Sequence, residues 1–161
     1  MLVENVEFAL TDHNGKEVSE LSYCGSWMLF FFGFTNCRSV CPRTLGRLSS
    51  ALDRLGEGAN DVRGLYVTVD PARDTPDVLR EFLSERYPHF TGLTGSQQAI
   101  EAVKANFGVF ARRVDESAGN YSMPHTSLTY LIDPRGLYRT HWSSVLEDEE
   151  IVDKLRIELS R

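Results

Sequence analysis

The chain has 161 residues and a mass of 18.2 kDa, which suits one well-packed domain and is short for two. Hydrophobic residues make up 42% and charged residues 25%, so the composition excludes a disordered, collagen-like or low-complexity polymer. The net charge is −6, and without a Lys/Arg-rich cluster we expect no nucleic-acid partner. Three cysteines are too few, and odd in number, for a disulfide-stapled scaffold.

Neither a membrane span nor a signal peptide is predicted. The longest apolar run covers residues 27–32, far short of the roughly 20 residues that a span requires. Residues 1–18 show no basic stretch followed by an apolar one. We expect either a cytosolic protein or a mature form whose anchor has been removed.

The predicted elements alternate between strands and helices. Apolar segments of strand length are residues 6–10, 27–32, 65–69, 109–114, 128–132 and 137–142, with a further short segment at 90–93. Asn14-Gly15 predicts a turn that closes an N-terminal β-hairpin. Apolar residues at helical spacing predict helices from Pro42 to near Gly56, from a Thr75 cap to before Pro88, and around residues 99–107 and 151–159. This order predicts a single α/β domain over residues 1–161 with a mixed sheet.

Two of the three cysteines, Cys37 and Cys41, lie between a predicted buried strand and the helix expected to begin near Pro42. Sites in α/β sheets gather at such strand-to-helix turns. A helix N-terminus lowers the pKa of a nearby thiol, which favours the thiolate for nucleophilic chemistry and for metal binding. Two inert core cysteines are the plainer interpretation, but the polar surroundings disfavour it.

The spacing of the pair allows two kinds of chemistry. Residues four apart on a regular helix have Cβ atoms about 5–6 Å apart, whereas a relaxed disulfide needs about 3.8 Å. Metal binding therefore suits Cys37 and Cys41 directly, and a disulfide requires a departure from regular helix. Pro42 predicts that departure, because proline belongs in the first turn of a helix. We expect both cysteines in an irregular turn that allows a metal site or a redox pair.

A metal site would need a third ligand, and four histidines are available. His125 stands at the head of a strongly apolar predicted strand, which we expect to lie beside the strand at residues 27–32. From the residues alone, a histidine that caps a loop is the plainer interpretation of His125, and a metal ligand is the alternative.

Four stretches resemble the Sco/SenC family of copper-binding, thioredoxin-fold proteins over nearly the whole chain. In chain order they are GSWMLFFFGFTNCRSVCP, LYVTVDPARDTPDVLREF, FTGLTGS and HTSLTYLIDPRG. The resemblance implies a three-layer thioredoxin-like fold and one copper ion bound by Cys37, Cys41 and His125. Two thiolates and an imidazole suit Cu(I), and zinc is the main competitor.

The resemblance also implies partners and a location. It points to copper donors and to a cytochrome c oxidase subunit that accepts copper into a binuclear site. It implies a location at the periplasmic face of a membrane, and we expect a monomer.

Some residues depart from the family's pattern or allow two interpretations. Family members commonly have an acidic residue before the histidine, where this chain has Pro124, which removes a side chain that could orient the ligand. Cys24 lies outside the copper motif and is expected to be incidental. Asp70, Arg73 and Asp74 match the family's aspartate segment. Asp70 could face the site, although a turn and a helix cap explain the two aspartates equally well.

Two functions remain open. A metallochaperone, which is not an enzyme, would bind copper on Cys37, Cys41 and His125 and pass it on by ligand exchange. A thiol–disulfide oxidoreductase would use Cys37 and Cys41 alone to reduce a partner's cysteines. A peroxiredoxin-type peroxidase is disfavoured, because Phe34 occupies the position of its usual threonine.

Overall fold

The computed structural model describes residues 5–35, 40–116, 119–123 and 127–160, and at Val40, Cys41 and Ser122 it describes the backbone alone. The strands are β1 (Ala9–Asp12), β2 (Glu17–Ser19), β3 (Trp27–Gly33), β4 (Val62–Thr68), β5 (Phe90–Thr94), β6 (Val114–Asp115), β7 (Tyr121–Ser122), β8 (Leu128–Ile132) and β9 (Tyr138–Ser143). The α-helices are α1 (Val40–Leu55), α2 (Pro76–Ser84), α3 (Gln97–Phe107) and α4 (Asp148–Leu159). None of the helices in these ranges has the length and hydrophobicity that a membrane span requires.

Seven strands form one mixed sheet in the order β2-β1-β5-β4-β3-β8-β9. The three central strands β5, β4 and β3 are parallel, and β8 runs antiparallel to β3. The strands β6 and β7 form a separate two-stranded hairpin. The predicted α/β class, the mixed sheet and the neighbouring positions of β3 and β8 are confirmed.

Strand β3 separates two hydrophobic layers. Successive side chains of a strand point to opposite faces, so Leu29 and Phe31 pack with α1, α2 and α4, and Phe30 and Phe32 pack with α3 and the N-terminal segment. All seven residues of β3 are buried, which confirms the prediction. Burial of each phenylalanine stabilises the fold by about 1.5–3 kcal/mol. Strand β3 is therefore a firmly packed base for the residues that follow Gly33.

The predicted hairpin turn at Asn14-Gly15 and the predicted helix cap at Thr75 are both confirmed. Strands β1 and β2 pair antiparallel across the turn that contains Gly15, whose φ of +83° is one that glycine adopts readily. The hydroxyl of Thr75 accepts a hydrogen bond from the Val78 backbone N–H, and Pro76 is the first residue of α2. These features begin and end elements where the sequence predicts.

Helix α1 already includes Cys41, ahead of the predicted start near Pro42. Its described range starts at Val40, and Pro42 lies inside the first turn. The first four N–H groups of a helix have no partner within it, so a proline there sacrifices no hydrogen bond. The expectation that Cys41 precedes the helix is therefore wrong, and its backbone belongs to the first turn.

The prediction of a strand at residues 109–114 is also wrong. The backbone N–H of Val109 donates to the Lys104 carbonyl at 2.8 Å, beside Gly108 in the left-handed conformation. Val109 thus completes the C-terminal cap of α3, and regular strand structure in this part of the chain is the short β6.

His13, in the β1–β2 turn, holds the hairpin against β5. The Gly92 backbone N–H donates to His13 Nδ1 at 3.1 Å, so this nitrogen must be unprotonated. Burial lowers the pKa of His13 below its usual value of 6.5, assisted by Arg80 and opposed by Asp12. Protonation would break the hydrogen bond, which contributes about 1 kcal/mol.

The hairpin contact predicts a specific loss of stability in acid. The pKa of His13 is lower in the folded state than its usual value of 6.5. The stability that neutral His13 adds to the fold is therefore fully present above pH 6.5 and is lost as the pH falls through the folded-state pKa. His13→Asn keeps an acceptor for Gly92 and does not titrate. Urea unfolding between pH 7.5 and pH 5 should show wild type losing more stability than this variant, and parallel curves would contradict the assignment.

Candidate metal centre

The predicted ligands fall largely outside the described residues. Cys37 and His125 are not described, and Cys41 is described by its backbone alone, in the first turn of α1. Among the residues that the structure does describe, no group of three or more His, Cys, Asp or Glu side chains is arranged to hold a metal ion. The site is therefore defined by the residues that flank the predicted ligands.

These flanking residues meet at one edge of the sheet. Thr35 follows β3 and Ser127 precedes β8. Since β8 runs antiparallel to β3, with Phe31 opposite Thr129, the end of β3 and the start of β8 lie side by side. The chain thus leaves this edge toward Cys37 and returns to it after His125.

A buried carboxylate fixes the point where the chain leaves β3. The side chain of Asp74 is 0% exposed. Its Oδ1 accepts a hydrogen bond from the Thr35 hydroxyl at 2.6 Å, and its Oδ2 accepts one from the Thr35 backbone N–H at 3.0 Å. The hydroxyl of Thr68, at the end of β4, also donates to Oδ2, at 2.7 Å. Asp74 therefore joins Thr35, just after β3 and two residues before Cys37, to Thr68 at the end of β4.

This arrangement corrects one interpretation of Asp74. Thr75, and not Asp74, caps α2. Burial raises the pKa of Asp74, the Thr35 and Thr68 hydrogen bonds oppose the rise, and neighbouring Asp70 adds to it. Burying this carboxylate is electrostatically unfavourable, and its hydrogen bonds to Thr35 and Thr68 fix the ends of β3 and β4.

The same turn, residues 70–74 between β4 and α2, also holds the hairpin that precedes His125. Asp70 is 4% exposed and accepts hydrogen bonds from Arg73 Nε and, at 2.9 Å, from the Tyr121 hydroxyl. The guanidinium of Arg73 lies over the Tyr121 ring, 3.6 Å from its centroid. We call residues 70–74 the 70–74 turn. It contacts the chain ahead of both Cys37 and His125.

Thr35, Thr68 and Tyr121 were not among the site residues predicted from the sequence. Thr35 lies two residues before Cys37 and Thr68 ends β4, so their positions at strand ends could have singled them out. Tyr121 is 51 residues from its partner Asp70, and no local pattern connects residues so far apart.

Cys24 lies away from this edge. It is exposed, follows a short 3-10 helix, and its thiol is 3.8 Å from the Pro134 carbonyl oxygen. It precedes the start of β3, whereas the candidate site lies beyond the end of that strand, about 20 Å further on. Cys24 is therefore a suitable control for experiments on the other two cysteines.

The role of Asp74 predicts unequal effects of two substitutions. Asp74→Ala should lower the free energy of unfolding by about 2–4 kcal/mol, because it leaves buried donors of Thr35 and Thr68 without an acceptor. Asp74→Asn should cost less than half as much. Its amide oxygen can accept hydrogen bonds from the Thr35 backbone N–H and the Thr68 hydroxyl, and its amide N–H₂ can donate to the Thr35 hydroxyl oxygen. Urea unfolding followed by circular dichroism measures both, and equal losses would contradict the hydrogen-bonding role.

Proteins of known kind resemble this chain in sequence and in structure. A SCO2-like protein of Rickettsia felis is 38% identical over 152 residues, which cover 93% of this chain and 74% of the relative. The copper-bound structure of Bradyrhizobium japonicum ScoI is 37% identical, with a TM-score of 0.88 over 96% of this chain and 99% of that one.

A third protein is more distant. BsSco, described as a member of the Sco family of cytochrome c oxidase assembly proteins with a disulfide switch, is 27% identical. Its structure has a TM-score of 0.75 over 99% of this chain and 95% of that one. The likeness to Sco structures confirms the predicted thioredoxin-like arrangement. The SCO1/SenC family model matches residues 3–160, and the chain therefore belongs to the SCO1/SenC family.

Proposed function

We propose that this protein is a copper metallochaperone. It binds one copper ion through Cys37, Cys41 and His125 and delivers it to the binuclear copper site of a cytochrome c oxidase subunit. The observation that carries the proposal is the shared sheet edge. Thr35, ahead of Cys37, and Ser127, after His125, both lie at that edge, although Cys37 and His125 are 88 residues apart in sequence.

The donor set fits copper. Thiolate sulfur is a soft ligand that selects Cu(I), and imidazole nitrogen suits copper as well. Zinc normally takes four ligands in a structural site, so a set of two thiolates and one imidazole favours Cu(I) over zinc. The copper-bound relative from Bradyrhizobium japonicum supports the same choice of metal.

The described start of α1 is electropositive. Its first turn carries no acidic residue, and exposed Arg43 lies in the same turn. The positive end of a helix dipole favours negative charge, which supports an anionic ligand such as a thiolate at this end of the helix.

Delivery requires that the ion can leave. A three-coordinate ion leaves room for an incoming thiolate of the partner, which replaces one ligand at a time. BsSco belongs to the same family and is described as an oxidase assembly protein, which supports an oxidase subunit as the recipient. We place this exchange on the extracytoplasmic side of the membrane, where the periplasmic partner would meet it.

The proposal predicts that copper affinity depends on three residues and not on a fourth. In an anaerobic Cu(I) titration against a competing chelator, wild type should bind one equivalent. Cys37→Ser and Cys41→Ser should weaken binding by about 100-fold or more, and His125→Ala by about tenfold or more, since each removes a ligand. Cys24→Ser should bind as wild type does.

Two results would overturn this assignment. The first is a wild-type protein that fails to compete with a chelator of moderate affinity. The second is a His125→Ala variant that binds copper as tightly as wild type.

A second candidate function is thiol–disulfide exchange, which the disulfide switch described for BsSco favours. One motif thiolate would attack a partner disulfide, forming a mixed disulfide and releasing one partner thiolate. The other cysteine would then attack the mixed disulfide, which leaves the partner dithiol and an oxidised Cys37–Cys41 pair. A separate reductant, a cellular dithiol, must reduce this pair before the next cycle.

The two functions differ in their need for His125. The reductase should reduce a peptide disulfide equally well in wild type and in His125→Ala, and it should fail in Cys37→Ser or Cys41→Ser. The rate of thiol release from such a peptide measures this. If His125→Ala loses disulfide reduction along with copper binding, the separation of the two chemistries is wrong.

A further inference from the structure

Tyr121 is held through its hydroxyl, its backbone carbonyl and its ring. Its hydroxyl donates to Asp70 Oδ1 at 2.9 Å, and its backbone carbonyl accepts from Arg73 Nη1 at 2.9 Å. The guanidinium groups of Arg73 and Arg113 lie 3.6 Å and 4.0 Å from the centroid of its ring. Both the main chain and the side chain of Tyr121 are therefore fixed.

The acceptor of the Tyr121 hydroxyl is itself rigid. Asp70 is 4% exposed, and its backbone N–H donates to the Thr68 hydroxyl at 2.9 Å. Thr68 ends β4 and also donates to Asp74. Through these contacts Tyr121 is connected to the central sheet.

The hairpin needs such an anchor. In the part of this hairpin that the structure describes, strands β6 and β7 pair at Val114 with Ser122 and at Asp115 with Tyr121. An isolated two-stranded hairpin is marginal in water, so contacts with the body of the protein must fix its position. Burial, and then the hydrogen bond to Asp70, raises the pKa of Tyr121, so the hydroxyl remains a donor at neutral pH.

We infer that Tyr121 is a positioning residue for His125, which follows four residues later in the chain. By bonding Asp70 and stacking with Arg73, it fixes the backbone at position 121 and so limits the positions that His125 can take before copper arrives. Restricting a ligand in advance lowers the entropy lost on binding, which raises the affinity. This inference rests on the proposed copper function and adds to it a residue that does not touch the ion.

The test removes one oxygen atom. Tyr121→Phe deletes the donor to Asp70 and retains the ring over which Arg73 and Arg113 lie. The matched control is Tyr138→Phe, at the end of β9 opposite to the candidate site, whose hydroxyl bonds His141. Cu(I) affinity should fall about tenfold in Tyr121→Phe, the size typical of groups that orient a metal ligand. It should be unchanged in Tyr138→Phe.

A double-mutant cycle separates positioning from a general loss of stability. If Tyr121 acts through His125, Tyr121→Phe should have no further effect on copper affinity in a His125→Ala background. Tyr121→Phe changes folding stability in the wild-type background and in the His125→Ala background alike. The comparison of the two therefore remains valid if Tyr121→Phe unfolds more easily. EPR of the Cu(II)-loaded protein should show weakened nitrogen hyperfine coupling in Tyr121→Phe.

Each contrary result has its own meaning. If wild type binds copper and Tyr121→Phe binds it as tightly, the inference is overturned and the copper function stands. If Tyr121→Phe weakens binding equally with and without His125, the residue does not act through that ligand. If wild type binds no copper, the proposed function itself fails.

Discussion

The buried carboxylate of Asp74 is the interaction on which the candidate site depends. It joins Thr35, at the end of β3, to Thr68, at the end of β4. Hydrogen bonds in a low-dielectric interior are strong, and a buried group that loses its partner is costly. The contacts therefore fix the position and direction in which the chain leaves the sheet toward Cys37.

The 70–74 turn extends the same constraint to the other side of the site. While Asp74 holds the residues ahead of Cys37, Asp70 and Arg73 hold Tyr121, ahead of His125. Cys37 and His125, the proposed ligands, are nearly ninety residues apart in sequence. The described residues ahead of each are held by one short turn. In the account proposed above, this support preorganises a three-ligand copper site and leaves the ion open to exchange.

Much of the fold follows from local sequence. The contacts by which the 70–74 turn holds Thr35 and Tyr121 do not, because they join residues far apart in the chain. The apolar run of β3, the Asn14-Gly15 turn and the Thr75 cap each determine their structure through neighbouring residues, so they were predictable. The predicted strand at residues 109–114 failed because Val109 serves the cap of α3.

The candidate site divides in the same way. The Cys37–Cys41 spacing pointed to a metal or redox pair from local sequence, whereas His125 became a candidate ligand chiefly through the family resemblance. The bond between Tyr121 and Asp70 joins residues 51 positions apart. Only the packing of the hairpin on the 70–74 turn creates it, and no pattern in the sequence reports that packing.

X-ray absorption at the copper edge of the Cu(I)-loaded protein tests the central claim most directly, because it counts the atoms that bind the ion. The account predicts a shell of two sulfur atoms and one imidazole nitrogen, with the nitrogen lost in His125→Ala and the shell unchanged in Cys24→Ser. A shell of sulfur alone in the wild-type protein, or one in which oxygen replaces sulfur, would contradict it.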